Sequence, residues 1–104
     1  MEGQTAGQER RRYVRTSGLQ VPITVKDQHG HASSGIVVSV SVGGVAVFTE
    51  TWPGSQFLEL QPTNSALRVK VTVKRCTSHS VGYILRCAFP YPPSPEILKA
   101  LSES

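Results

Sequence analysis

Apolar residues alternate with polar ones along most of this chain, and the alternation has the period of a strand. The clearest case is "ALRVKVTVKRC" (66–76), where Leu67, Val69, Val71 and Val73 share one face and Arg68, Lys70, Thr72 and Lys74 share the other. A sheet with one buried and one wet side demands that pattern, because successive side chains point to opposite faces. "SVGYILRCAF" (80–89) repeats it, with Tyr83, Leu85, Cys87 and Phe89 opposed to Ile84, Arg86 and Ala88. The two segments read as a hairpin turning near Ser78–His79, which sets Cys76 opposite about residue 83.

Upstream, "LQVPITVKD" (19–27) alternates through Leu19, Val21, Ile23 and Val25. "QHGHASSG" (28–35) has the composition of a loop. In "IVVSVSV" (36–42), Ile36, Val38, Val40 and Val42 fall on one face and Val37, Ser39 and Ser41 on the other. "GG" (43–44) interrupts the strand and "VAVFTET" (45–51) resumes one; "WPGS" and "PTNS" are turns on either side of a short strand, "QFLELQ" (56–61). Trp52, ahead of Pro53–Gly54, reads as packing at a barrel end.

After "PYPP" the period changes. Ser94 is a suitable helix cap with Pro95 in the first turn, and Ile97, Leu98 and Leu101 form an apolar stripe, predicting a helix over about 94–102. Glu96 and Lys99 sit at the ends that the helix dipole favours. Six short strands in a row and one helix predict an all-β fold, a small antiparallel barrel or sandwich.

Length and composition narrow this little further. A chain of 104 residues with 38% hydrophobic and 17% charged content fits a single folded domain over 10–104, with a polar, flexible lead-in at 1–9. No apolar run is long enough to span a bilayer, so membrane insertion is not expected. "MEGQTAGQE" lacks the build of a secretion signal, and Cys76 and Cys87 are too far apart along the hairpin to bridge. These readings lead to an expectation of a cytoplasmic protein with two free thiols. The initiating Met and the helix near the C-terminus are expected of a stand-alone chain.

Catalytic chemistry finds little support. His29, His31 and His79 fall in turns, Asp27 is the only aspartate, and the glutamates are scattered, so neither a metal centre nor paired-carboxylate catalysis is expected. The expectation is a binding protein and not an enzyme, needing neither cofactor nor metal.

The net charge of +4 points to an anionic partner, and the charge is concentrated in "QERRRYVRTSG" (8–18), which carries Arg10, Arg11, Arg12 and Arg15. By itself this is a basic tail. A second half-site is offered by "SVSVGG" (39–44), where the hydroxyls of Ser39 and Ser41 share a strand face that runs into glycines.

Together the two stretches resemble the PilZ domain family, whose members bind the bacterial second messenger cyclic di-GMP. Arg11 and Arg15 match the family's RxxxR motif. Ser39, Ser41 and Gly44 fall on the second motif, written [D/N]-x-S-x-x-G, at an interval of 24 positions from Arg15 to Ser39. "VGYILRCAF" followed by a helix resembles the family's ending. The resemblance implies a six-stranded antiparallel β-barrel with the RxxxR segment as a loop before the first strand. That loop would fold over the barrel on ligand binding and present a new surface to a protein partner.

It also implies a ligand site formed by Arg10, Arg11, Arg12, Arg15, Ser39, Ser41 and Gly44. Arg10, ahead of the motif, would favour a stacked pair of cyclic di-GMP molecules. Guanidinium groups suit this ligand because they fork onto phosphate oxygens, pair with the N7/O6 edge of guanine and stack on the base. One position departs from the family: Ser39 stands where an Asp or Asn would accept from the guanine edge, and a hydroxyl cannot do so bidentately. That departure leaves open a PilZ-like adaptor that binds a protein and not the nucleotide. A third reading is a small barrel that holds RNA or single-stranded DNA by its basic arm, although the sparse aromatics argue against a polymer of nucleic acid. Lys26 and Arg86 are further cations whose distance from the site the sequence does not fix.

Overall fold

The computed structural model describes residues 16–103, with side chains from Gly18 onward. Six antiparallel strands close into a barrel: β1 (Thr16–Asp27), β2 (Ala32–Ser41), β3 (Gly44–Thr49), β4 (Phe57–Pro62), β5 (Val69–His79) and β6 (Gly82–Ala88). Around the barrel the order is β1-β2-β3-β6-β5-β4, and the pairing of β1 with β4, from Ile23↔Pro62 to Asp27↔Leu58, completes the ring. Closure leaves no free sheet edge among these strands. Among the described residues one helix, α1 (Pro95–Ser102), follows β6.

The core is built as the alternation requires. Val21, Ile23 and Val25 of β1, Leu58 and Leu60 of β4, Val71 and Val73 of β5, and Leu85 and Cys87 of β6 all point inward and are buried. Leu19, Val69, Tyr83 and Phe89 pack against them half-buried. Leu67, expected on the same face, is exposed ahead of β5.

The helix packs against β2 and β1 and buries Ile97 and Leu101 in the same core. Its start is locally specified. Ser94 has an extended backbone, its Oγ accepts from the Ile97 N–H at 3.2 Å, and Pro95 follows where no N–H is needed. None of the helices described is long and apolar enough to cross a membrane.

Several details differ from the sequence expectation. The loop after β1 is confined to residues 28–31, because Asp27 ties it: its carboxylate accepts from the backbone N–H groups of His29 at 2.8 Å and His31 at 2.9 Å. Gly30, at φ +89°, completes the turn in a conformation that side chains disfavour. The β5–β6 hairpin turns at Ser80–Val81 rather than Ser78–His79, with Ser80 at φ 54°. Cys76 accordingly stands opposite Leu85 and not residue 83. Both cysteines are free, Cys76 exposed and Cys87 buried. Trp52, in the β3–β4 connection, is 45% exposed.

The largest correction concerns β2. Val37 faces the core at 0% exposure while Ile36 and Val42 are turned to solvent, the reverse of their expected sides. A bulge is responsible. Val37 pairs with Val47 and Ser39 with Ala46, leaving Val38 as an extra residue on β2. The inward set therefore changes phase, from Val37 before the bulge to Val40 after it.

Candidate functional site

Ser39 and Ser41 lie just past this bulge, on the outward side of the last turn of β2. The orientation follows from the rung they belong to. Ser39 pairs with Ala46 of β3, Ala46 with Arg86 of β6, and Arg86 with Arg75 of β5. Arg75 and Arg86 are exposed, and side chains across a rung share a face, so this rung looks outward. Both serines are nonetheless buried, at 7% and 6% exposure.

β1 is irregular at the same level. Ser17 pairs with Ser39 and Val21 with Val37, so residues 18–20 stand across from Val38 alone. Gly18 sits in this irregularity at φ +74°, in the left-handed region. Bulges on two neighbouring strands at one level re-aim side chains, a device common beside binding sites.

At the end of β2, the Ser41 Oγ accepts from the Gly43 N–H at 3.3 Å, and a two-residue turn, Val42–Gly43, leads into β3. Gly44 pairs with Ser41 on one side and Ala88 on the other. A Cβ at Gly44 would stand 2.5 Å from the Cys87 carbonyl oxygen, so the close approach of β3 to β6 requires a glycine here. Ser39, Ser41 and Gly44 are thus brought to one end of the barrel.

Arg10, Arg11, Arg12 and Arg15 lie outside the described residues. Their point of attachment is described. Thr16, the residue bonded to Arg15, pairs with Val40, which separates Ser39 from Ser41. Thr16 thus stands across the ladder from the segment of β2 that carries the two serines.

Of the two cations left unplaced by the sequence, Arg86 belongs to the rung of Ser39. Lys26 does not. It lies nine positions along β1 from Ser17 and pairs with Glu59 of β4, which in turn pairs with Lys70 of β5. That triplet lines a separate groove of about 510 Å³ on the β1–β4–β5 wall, together with Phe57, Thr72 and Pro90. The pairing of Arg75 with Arg86 had no counterpart in the sequence reading, because it depends on the hairpin register.

The histidines form no metal centre: among the described residues no group of three His, Cys, Asp or Glu side chains converges. His31 Nδ1 instead lies 3.4 Å from the Asp27 carboxylate. Slight desolvation raises the Asp27 carboxyl, but the N–H groups of His31 and His29 and the charge of His31 outweigh it and hold the pKa below its ordinary value. This is the chemistry of a fixed turn.

Comparison with known proteins agrees with this architecture. The family model described as PilZ domain matches residues 9–103. No curated protein matches the chain significantly by sequence. Among solved structures, the PilZ domain with c-di-GMP of YcgR from Escherichia coli superposes at a TM-score of 0.69 and 15% identity, covering 89% of this chain and 88% of that one. The Bacillus subtilis inhibitor of motility MotI/DgrA gives 0.63 at 16% identity, covering 88% of this chain and 47% of that one. The Borreliella burgdorferi PlzA protein in complex with c-di-GMP gives 0.56 at 12%, covering 96% and 52%. This chain spans about half the length of the latter two proteins. At these identities the likeness is one of fold. The match over residues 9–103 goes further: the chain belongs to the PilZ domain family.

Proposed function

We propose that this PilZ domain is a non-enzymatic receptor for cyclic di-GMP, with Arg11 and Arg15 as the clamp and Ser39, Ser41 and Gly44 as the fixed half of the site. The observation that carries the reading is the pairing of Thr16 with Val40. Thr16 follows Arg15 directly and Val40 stands between the two serines, which supports a site whose two halves meet at one end of the barrel. Two of the structures with this fold hold c-di-GMP, which supports the choice of ligand.

The chemistry is divided between the halves. The arginines supply charge, forked hydrogen bonds to phosphate oxygens and a flat surface for guanine stacking. The second half supplies small polar groups and a close backbone: the Ser41 hydroxyl, the Val42–Gly43 turn and Gly44. Arg10 and Arg12 add two charges, enough with the clamp to offset the four phosphates of a stacked ligand pair. Signalling follows by population shift. The ligand favours the conformer in which the segment before β1 is folded over the barrel, and that conformer presents a new surface to a protein partner in the bacterial cytoplasm.

A second reading rests on Ser39. A serine in place of Asp or Asn removes a bidentate acceptor for the guanine edge and suits an adaptor that engages a protein without the nucleotide. Calorimetric titration with cyclic di-GMP on the wild type, Arg11→Ala and Arg15→Ala separates the two. A receptor shows saturable binding at micromolar concentrations or tighter that both substitutions remove; an adaptor gives no heat with the intact protein. Equal affinity for unrelated oligonucleotides that collapses at about 200 mM salt would replace both with a polymer-binding arm.

A further inference from the structure

We infer that Arg86 and Arg75 form a second anion-binding subsite, contiguous with Ser39, that holds the part of the ligand reaching across β3 onto β6. The inference rests on the receptor reading above and extends its site to a wall of the barrel that the two motifs do not touch.

The starting point is an unfavourable arrangement. Arg75 and Arg86 are cross-strand partners on the outward face of the β5–β6 hairpin. Like charges directly opposite each other in a ladder repel, and a sheet ordinarily places a carboxylate there. None is present. The outward neighbours are Thr72, Thr77, Ile84 and Ala88 on the same hairpin, and Ala46 and Phe48 on β3, while the exposed Lys74 beside Arg75 adds a third cation. The only ion pair among the described residues is His31 with Asp27, at the other end of β1. Among the described residues, the two arginines are thus cross-strand partners with no carboxylate paired to either.

Their direction is the second point. The rung runs Ser39, Ala46, Arg86, Arg75 without a break. Two strand spacings, about 10 Å, separate Ser39 from Arg86. The residue between them is Ala46, whose methyl group leaves the way across clear, and an extended arginine covers most of the gap. A ligand seated at Ser39 therefore has this pair as its next neighbour along the sheet. The chemistry that satisfies two adjacent guanidinium groups is a phosphodiester, which accepts from both, or a guanine edge paired to one and stacked on the other.

Titration of the full chain with cyclic di-GMP, with Arg86→Gln, Arg75→Gln and Lys70→Gln as variants and thermal unfolding of each free protein, tests the inference. Lys70→Gln removes the same charge from the β1–β4–β5 wall. Each arginine substitution is expected to weaken binding about tenfold, while Lys70→Gln stays within about twofold of the wild type. The same arginine substitutions are expected to raise the unfolding temperature of the free protein, because repulsion is relieved. A merely structural pair would lower it. Unchanged affinity in both arginine variants overturns the subsite and leaves the receptor standing, as does an equal loss in Lys70→Gln. Affinity loss accompanied by a lower unfolding temperature also overturns it. A wild type that takes up no cyclic di-GMP overturns the receptor reading and the subsite with it.

Discussion

Thr16 faces Val40 across the β1–β2 ladder, the last pair before the chain passes into Arg15. Arg15 and Ser39 are 24 positions apart in the sequence, yet Thr16 and Val40, the residues that follow them, are cross-strand partners. This pairing also explains why the strand irregularities gather where they do. Gly18 and Val38 bend β1 and β2 at the level of Ser39, so the barrel changes which residues it buries just as it reaches the site.

Restoring the family residue at position 39 should strengthen binding. Ser39→Asp supplies a bidentate acceptor for the guanine N1–H and N2 groups, worth about 10- to 100-fold in affinity for cyclic di-GMP by calorimetry. Because Ser39 is only 7% exposed, the added carboxylate loses hydration in the free protein, whose unfolding temperature should fall.

Gly44→Ala should destabilise the barrel independently of any ligand. The new methyl meets the Cys87 carbonyl at 2.5 Å, and a backbone oxygen in a ladder yields only if β3 and β6 separate. A loss of about 1–3 kcal/mol in denaturant unfolding is expected.

Helix α1 is part of the core rather than an appendage. Leu101, at 0% exposure, should cost about 2–5 kcal/mol when replaced by Ala, and Ser94→Ala about 1 kcal/mol through loss of the cap to Ile97. Both losses should show as a single cooperative transition at lower denaturant. Separate melting of the helix would contradict its place in the core.

The two cysteines should react in sequence. Cys76 is exposed and should be alkylated in the native protein at mildly alkaline pH, whereas Cys87 should be protected until unfolding. Burial pushes the Cys87 thiol up to about 12 from 9.0. Below pH 9 both folded and unfolded states keep the proton, so this group's contribution to stability is complete. Between 9 and about 12 the unfolded thiol ionises while the folded one does not, and stability should decline with pH across that window. Cys87→Ala should flatten the decline.

The sequence made the hairpin legible because its two faces differ in kind. Lys70 and Lys74 contrast with Val71 and Val73, which marks the buried face but leaves the register open, since a slip of two residues keeps the valines inward. In β2 that contrast is missing: Ile36, Val37, Val38 and Val40 are interchangeable to a pattern, so nothing local marks Val38 as the residue that bulges. Its neighbours on β1 and β3 decide that, and both are remote in sequence. A similar cause hid the arginine pair. A turn at Ser78–His79, with Cys76 opposite residue 83, sets Arg86 against Val73; the observed turn at Ser80–Val81 shifts the register and sets Arg86 against Arg75, ahead of the irregularity between Val73 and Arg75. The site motifs were legible since they depend on residue type and order. The rung that joins them to β6 depends on register, which the sequence leaves loose.

The most direct test of the account is an amide-shift titration of the isotope-labelled chain with cyclic di-GMP. Saturable shifts concentrated from Ser39 to Gly44, on Thr16 and on Arg86, with Lys26, Glu59 and Lys70 little changed, are what the account predicts. A spectrum that cyclic di-GMP leaves unmoved, or shifts confined to the groove of Lys26, Glu59 and Lys70, would contradict it.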